Sequence, residues 1–413
     1  MSAPLALSYV LPLRWATEQH LDLTGYLHWL AAHVDEVIVV DASPDESFDR
    51  HGMVWRPYAT LVRPDPALHL RNGKVAGVLT GVTLARHEKI VIADDDVRYE
   101  RDGLQRIIDL LGDAELVRPQ NYFQPVPWHA AWDTARSLLN RAFGRDFPGT
   151  LGVRRSVLLA TGGYDGDVLF ENLELIRTVR AAGGRVASPL DLYVERRPPD
   201  AGHFWSQRVR QAYDDFAIPP RMALWLVLAP AAAAGARISP RVPAAAAGAA
   251  IAVAEAGRRR GGGTAVFPFR SALAAPLWLA ERSVTSWMAL GSRLLFGGVG
   301  YAGTRFKRAA SSRASLERKY GGGASSDAKE GHTWHGKGGS SRGDSKTTSS
   351  AKSFARSTGP GRHVPQRHRE SARGAHETNV RAGEECLRRF PKETKSAARR
   401  TRTGGRRGWT RGV

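Results

Sequence analysis

The sequence predicts an α/β domain built on a mostly parallel sheet, followed by an apolar helical region and a disordered basic tail. Three observations lead to this. Short β-branched runs alternate with helically spaced apolar residues from Leu5 to about Tyr213. Two of the runs, ending at Asp41 and at Asp94–Asp96, stop abruptly in carboxylates. The composition then changes at Met222 and again near Lys307. Strands alternating with helices imply right-handed βαβ units and a parallel sheet.

Leu5 to Leu13 reads as the first strand rather than as a leader, because the run is short and has no basic start. A helix follows to about Ala32, with Leu21, Leu27, Trp29, Leu30 and Val34 at roughly helical spacing. Glu36–Asp41 is a second buried strand, and 42–47 a loop with turn chemistry. Ala59–Arg63 is a third strand, Asn72–Ala85 a helix, and Lys89–Ala93 a fourth strand that runs into Asp94, Asp95 and Asp96. Gly103–Leu111 and Trp128–Phe143 read as helices, with a short strand at Glu115–Arg118. Phe147–Arg154 turns into another strand, 162–174 is a loop entering a helix to Ala182, and Gly184–Leu192 gives one more strand. His203–Tyr213 is a polar-aromatic segment of helical character.

Burial explains Ile90, Val91 and Ile92 but not three adjacent carboxylates. Like charges that close repel unless a cation sits among them. A hard ion such as Mg²⁺ or Mn²⁺ takes one or two carboxylates and leaves positions for phosphate oxygens. In an open α/β sheet, ligands bind outside the carboxyl ends of the strands. A solvated acidic turn is the better explanation of an isolated triplet; Asp41 at a neighbouring strand end turns the two into one site.

Met222–Ala236 and Val242–Ala254 are apolar runs, each short of the roughly twenty residues of a spanning helix. A membrane hairpin and an Ala-rich soluble helical pair both accommodate them. Phe267–Phe296 sets Trp278, Trp287, Arg282 and Arg293 among leucines, a pattern of the membrane interface. The domains so read are 1–220 the α/β domain bearing the candidate site, 221–306 membrane-associated and 307–413 a disordered basic tail. From Thr304 onward 27 Lys/Arg face 9 Asp/Glu, so of the 60 and 40 in the chain 33 and 31 remain in residues 1–303. The net charge of +20 therefore belongs to the tail, which argues against nucleic acid as a partner of the folded body. Such a tail attracts anionic partners or is simply solvated. The single cysteine, Cys386, permits no intrachain disulfide and fits a reducing, cytosol-facing location.

The order of these parts resembles glycosyltransferase family two, inverting enzymes with an A-type nucleotide-sugar fold on a Rossmann-like sheet. The resemblance covers roughly residues 5–215. Val37–Asp41 with Ser43 looks like the strand and loop holding the nucleotide base, and Asn72-Gly73-Lys74 like the segment reaching the donor. Asp94-Asp95-Asp96 is similar to the family's Asp-x-Asp, which implies metal and ribose contacts from Asp94 and Asp96. Asp95 is grouped with the substrate-binding residues, although strand alternation sends its side chain the other way. Gly149-Thr150 and Gly162-Gly163-Tyr164-Asp165 resemble acceptor-side loops. Gln207 and Arg210 resemble the Gln-x-x-Arg of membrane-bound members, with Arg210 and Lys74 suited to balancing a diphosphate. The resemblance implies a membrane-associated transferase, its catalytic domain cytoplasmic, moving a sugar from a nucleoside diphosphate to a lipid or saccharide hydroxyl with Mg²⁺ or Mn²⁺.

The chain departs from the family at the base. Inversion needs a carboxylate to deprotonate the acceptor, and the family's usual Glu-Asp is here Glu171-Asn172. Asn172 cannot accept the proton. Glu171 serves instead, or Glu174 or Asp167 does, or the chain is a weak or inactive homologue binding partners through its tail at a membrane. The motif's final Trp is also replaced, by Gln211.

Overall fold

The computed structural model describes residues 3–15, 22–144 and 146–321. Leu21, Cys386 and the tail beyond 321 lie outside the described residues. In chain order the elements are β1 (Leu5–Leu13), α1 (Leu23–His33), β2 (Val34–Asp41), α2 (Asp45–Trp55), β3 (Thr60–Val62), α3 (Gly73–Leu84), β4 (Lys89–Ala93), β5 (Val97–Arg98), α4 (Arg101–Leu110), β6 (Leu116–Val117), β7 (Gln120–Phe123) and α5 (Trp128–Ala142). They continue as β8 (Thr150–Arg154), α6 (Arg155–Ala160), α7 (Glu171–Ala181), β9 (Val186–Ala187), β10 (Tyr193–Arg196), α8 (Ala201–Ser206), α9 (Arg208–Tyr213), α10 (Pro219–Ile238), α11 (Arg241–Arg259), α12 (Phe269–Leu273), α13 (Ala275–Phe296), β11 (Val299–Tyr301), β12 (Thr304–Phe306) and α14 (Arg313–Tyr320).

The main sheet has the order β3-β2-β1-β4-β8-β6-β9, parallel except that β8 runs antiparallel to both neighbours. Register places Leu13 beside Asp41 and Val10 beside Ile92. The carboxyl ends of β1, β2 and β4 thus share one edge, as the acid-terminated strands predict. Ile90, Val91 and Ile92 are buried between two apolar clusters, one on each face. Each contributes roughly 1.5–3 kcal/mol relative to exposure, enough to hold a strand end rich in charge. A second sheet, β5-β10-β7, lies across the edge.

Three sequence expectations change. The loop read over 42–47 gives way at Asp45 to α2, whose first turn carries Asp45 and Glu46, the charges a helix start favours. The strand read over 184–192 is only Val186–Ala187, and the functional strand is β10, immediately downstream. Residues 307–321 are not a disordered tail: α14 packs on the α/β domain through Leu316, which is buried.

In the helical region, α10 is the one described helix long and apolar enough to cross a membrane by length and composition. Its hydrogen-bond ladder is interrupted by the Ser283 hydroxyl, which accepts from the Ala229 N–H and donates to the Trp225 carbonyl, next to Pro230. The run 242–254 lies in α11, which seats on α5. At Gly257 a Cβ would fall 1.9 Å from the Leu138 carbonyl oxygen, so only glycine permits this approach. One face of α13 is buried and polar, with Arg282, Ser283, Thr285 and Ser286. Arg208 of α9 bonds Asp133 of α5 at 2.9 Å and Glu281 of α13 at 2.5 Å, a buried charge paired on both sides.

Candidate active site

A cleft of about 860 Å³ opens over the carboxyl ends of β1, β2 and β4. Its floor is a row of alternating charges. Asn72 caps α3 by accepting from the Lys74 N–H at 3.2 Å, which aims the lysine across the sheet edge. Lys74 Nζ lies 2.5 Å from Asp94 Oδ1 and 2.7 Å from Glu171 Oε1. Asp94 Oδ2 in turn faces Arg196 Nη2 at 3.5 Å, and Arg196 Nε bonds both oxygens of Asp96 at 2.9 and 2.8 Å. Burial disfavours the Lys74 ammonium, but Asp94 and Glu171 more than offset it and hold its pKa above the ordinary lysine value. Arg196 is half-buried and held cationic by Asp96 and Asp94. Backbone geometry makes room for the row: a Cβ on Gly149 would lie 2.6 Å from Asp94 Oδ2 and 3.0 Å from Arg196 Cζ.

The wall opposite Asp94 carries Gln207 and Arg210. Gln207 Oε1 accepts from Arg210 Nε at 2.6 Å, and the Arg210 guanidinium lies 4.9 Å from the Tyr301 ring centre. Behind Arg210, at 3.9 Å, is Asp214, whose pKa burial raises to about 7; Arg210 opposes the shift and Glu171 adds to it. Trp128 and Trp205, both exposed, flank His129 and Phe204 of the cleft lining.

The structure brings Lys74, Asp94, Asp95, Asp96, Glu171, Gln207 and Arg210 to this one cleft. It leaves the other sequence candidates outside the lining. Asp41 is fully buried, accepting from the Ser43 N–H at 2.8 Å and sharing a 2.6 Å bond with His51 Nδ1. The Ser43 hydroxyl accepts from the Trp15 N–H. Both side chains are spent on shaping the loop, and it is Val40, Ala42 and Trp15 that face the cavity. Asp95 accepts from Trp15 Nε1 at 2.5 Å, so its carboxylate also positions that indole. Gly163 lies in the turn after α6 against Leu79, away from the cleft.

Of the three proposed bases, only Glu171 lines the cleft. Glu174, further along the same helix, is fully buried outside the cleft and accepts from the Ser311 N–H at 2.7 Å. Asp167 is exposed and accepts from the Arg71 N–H at 3.3 Å. Asn172 donates to the Pro148 carbonyl, tying α7 to the Gly149 loop.

Residues 58–118 match the family model described as Glycosyl transferase family 21. The chain therefore contains a glycosyltransferase-family segment, and it carries Lys74 and Asp94–Asp96. Among solved structures, the chain is similar to the mannosyltransferase PcManGT from Pyrobaculum calidifontis in complex with GDP-Man and Mn²⁺, at 23% identity, covering 69% of this chain and 88% of that one, TM-score 0.41. It is also similar to glucosyl-3-phosphoglycerate synthase from Mycobacterium tuberculosis in complex with Mn²⁺, UDP and phosphoglyceric acid, at 17% identity, 48% and 73% coverage, TM-score 0.34. No curated protein matches the chain.

Sequence reasoning missed Arg196, Trp15, His51, Asp214 and Tyr301. For Arg196 a signal exists: Tyr193-Val194 is a short β-type pair followed by Glu195-Arg196-Arg197, charges placed at a strand end just as after β4. Tyr301 reaches the site through a hairpin, and His51 reaches Asp41 behind it through a helix, neither of which any local pattern connects to it.

Among the described residues no three His, Cys, Asp or Glu side chains gather to hold a metal. The donor chemistry still fits a divalent ion. Asp94 and Asp96 are the one or two carboxylates Mg²⁺ or Mn²⁺ takes when phosphate and water complete its shell. The row of three carboxylates and two cations also retains one negative charge, which an incoming diphosphate adds to.

Proposed function

We propose that this chain is a metal-assisted, inverting glycosyltransferase that moves a sugar from a nucleoside diphosphate to a lipid or saccharide hydroxyl. The observation that supports it most is the row Glu171–Lys74–Asp94–Arg196–Asp96 along one cleft at the sheet's carboxyl edge. The donor's diphosphate lies toward Lys74, Arg196 and Arg210, whose charges stabilise the leaving group. Asp94 and Asp96 would hold Mg²⁺ or Mn²⁺, which would supply further neutralisation of that group. The acceptor oxygen bonds to the anomeric carbon as the carbon–oxygen bond to phosphate breaks, and the electron pair leaves with the diphosphate. The acceptor proton passes to Glu171, the acid lining the cleft. Lys74 ties both halves of the reaction, because it contacts Glu171 and Asp94 together.

The lipid alternative for the acceptor is supported by the exposed apolar side chains Leu224, Val227, Trp287 and Met288 on α10 and α13, and by the indoles at the cleft. Membrane association through α10 belongs to this reading. The cytoplasmic placement of the catalytic domain rests on the sequence, whose single cysteine fits a reducing compartment. The test is Mn²⁺-dependent transfer or hydrolysis from a panel of nucleotide sugars. Activity lost in Asp96→Ala supports the proposal, and no turnover of any donor in the panel contradicts it.

A further inference from the structure

After α13 the chain returns to the α/β domain. β11 and β12 form a hairpin whose Val299 and Phe306 are buried with Leu169 and Tyr213, and whose tip presents Tyr301 to the cleft. The next residues run beside the segment that precedes α7. The Leu169 N–H donates to the Arg308 carbonyl at 3.1 Å and the Phe170 N–H to the Ala309 carbonyl at 2.8 Å. Arg308 Nη2 bonds Asp165 at 2.9 Å, and the Tyr213 hydroxyl donates to the Lys307 carbonyl at 2.9 Å. The Ser311 N–H donates to buried Glu174, and Arg177 donates to the Ser311 carbonyl at 2.7 Å.

Glu171 follows Phe170 directly and is the first residue of α7. Its backbone is therefore fixed on one side by Ala309 and, one helical turn on, by Ser311 through Glu174. The same strap places Tyr301 against Arg210, the cation on the other wall.

We propose that residues 299–320 are a positioning strap that completes the active site, with Glu174 the positioning residue that locks the strap to the turn bearing Glu171. Glu174 thereby has a function other than proton transfer. A buried carboxylate is costly unless bonded. Here one oxygen is spent on a backbone N–H that lies 137 residues away in sequence. Such a bond fixes where the strap meets α7. The inference that this matters for turnover rests on the transferase reading; the coupling of strap to helix does not.

The experiment uses the full chain and two readouts. Ser311→Pro removes the N–H that Glu174 accepts, and Ser311→Ala keeps it. Amide exchange over 168–174 is expected to rise more than tenfold in Ser311→Pro, with β1 still protected. With GDP-mannose or UDP-glucose and Mn²⁺, kcat for donor hydrolysis is expected to fall at least tenfold and donor KM to change less than threefold. Ser311→Ala is expected to stay within threefold in all three. Where Ser311→Pro loses β1 protection as well, Glu174→Ala against Glu174→Gln makes the same comparison, since glutamine retains an accepting oxygen. Unchanged exchange over 168–174 overturns the strap, and raised exchange with unchanged kcat overturns its effect on Glu171. A wild-type chain that hydrolyses no donor defeats the transferase reading, and exchange alone then decides the strap.

Discussion

Lys74 Nζ stands 2.7 Å from Glu171 across 97 residues of sequence, and in the proposed transferase this contact joins the donor side of the cleft to the acceptor side. The ammonium also holds Asp94 at 2.5 Å. Removing it leaves two half-buried carboxylates facing each other without the ammonium between them, a loss on the order of 3 kcal/mol, the low end of the range for shielded pairs. Lys74→Met is expected to lower the unfolding free energy by about 3 kcal/mol in urea titration and turnover by about a hundredfold. Stability within 0.5 kcal/mol of the wild type would show the row to be incidental.

Glu171→Gln preserves size and keeps an acceptor for Lys74 but cannot take a proton. Its kcat is expected to fall by roughly 10²–10⁴-fold, the scale of general-base catalysis, with donor KM little changed. Asp167→Asn, at an exposed position outside the cleft, is expected to stay within threefold of the wild type. The reverse ranking in steady-state kinetics would move the base to Asp167.

How much of this was legible in the sequence varies by element. The strand ends Asp41 and Asp94–Asp96 were readable because two β-branched runs of one alternating α/β pattern stop in acids, which a solvated turn explains for one run but not for both. Lys74 and Arg210 were readable through their neighbours, Asn72 and Gln207, which cap or bond them in place. Asp41 was readable as a strand end and Ser43 as part of the loop after it, but not the bonds that occupy their side chains, since His51 and Trp15 reach them from distant elements. Glu174 illustrates the general limit: it stands three positions, less than one helical turn, from Glu171 on a neighbouring face, and only the packed strap shows which of the two faces the cleft. The strap itself was hidden because its Ser, Lys and Arg composition matches that of the chain that follows it.

Asp214 gives the chain a pH signature. Burial raises its pKa from the ordinary aspartate value to about 7, so the folded protein binds this proton more tightly than the unfolded chain. The associated stability is present in full at acidic pH and is lost as pH rises from about 4 to about 7. The loss over that whole range is on the order of 4 kcal/mol. Asp214→Asn is expected to remove that part of the decline in urea unfolding at pH 5 and pH 8. Parallel declines in the two proteins would rule Asp214 out as the source.

Vesicle flotation addresses the apolar helical face. The full chain is expected to float with anionic phospholipid vesicles, and the double substitution Leu224→Asn with Val227→Asn to reduce the bound fraction severalfold in high salt, where the basic tail is screened. Flotation unaffected by the double substitution would transfer membrane binding to the tail or abolish the role of α10.

The most direct measurement is calorimetric titration of the full chain with nucleotide sugars in the presence of Mn²⁺, GDP-mannose and UDP-glucose first among them. Saturable binding of one donor, lost in Asp96→Ala and weakened when Mn²⁺ is chelated, is the expected result. Absence of heat with every donor, in protein shown folded by its thermal transition, would contradict the assignment of this cleft to a nucleoside-diphosphate sugar.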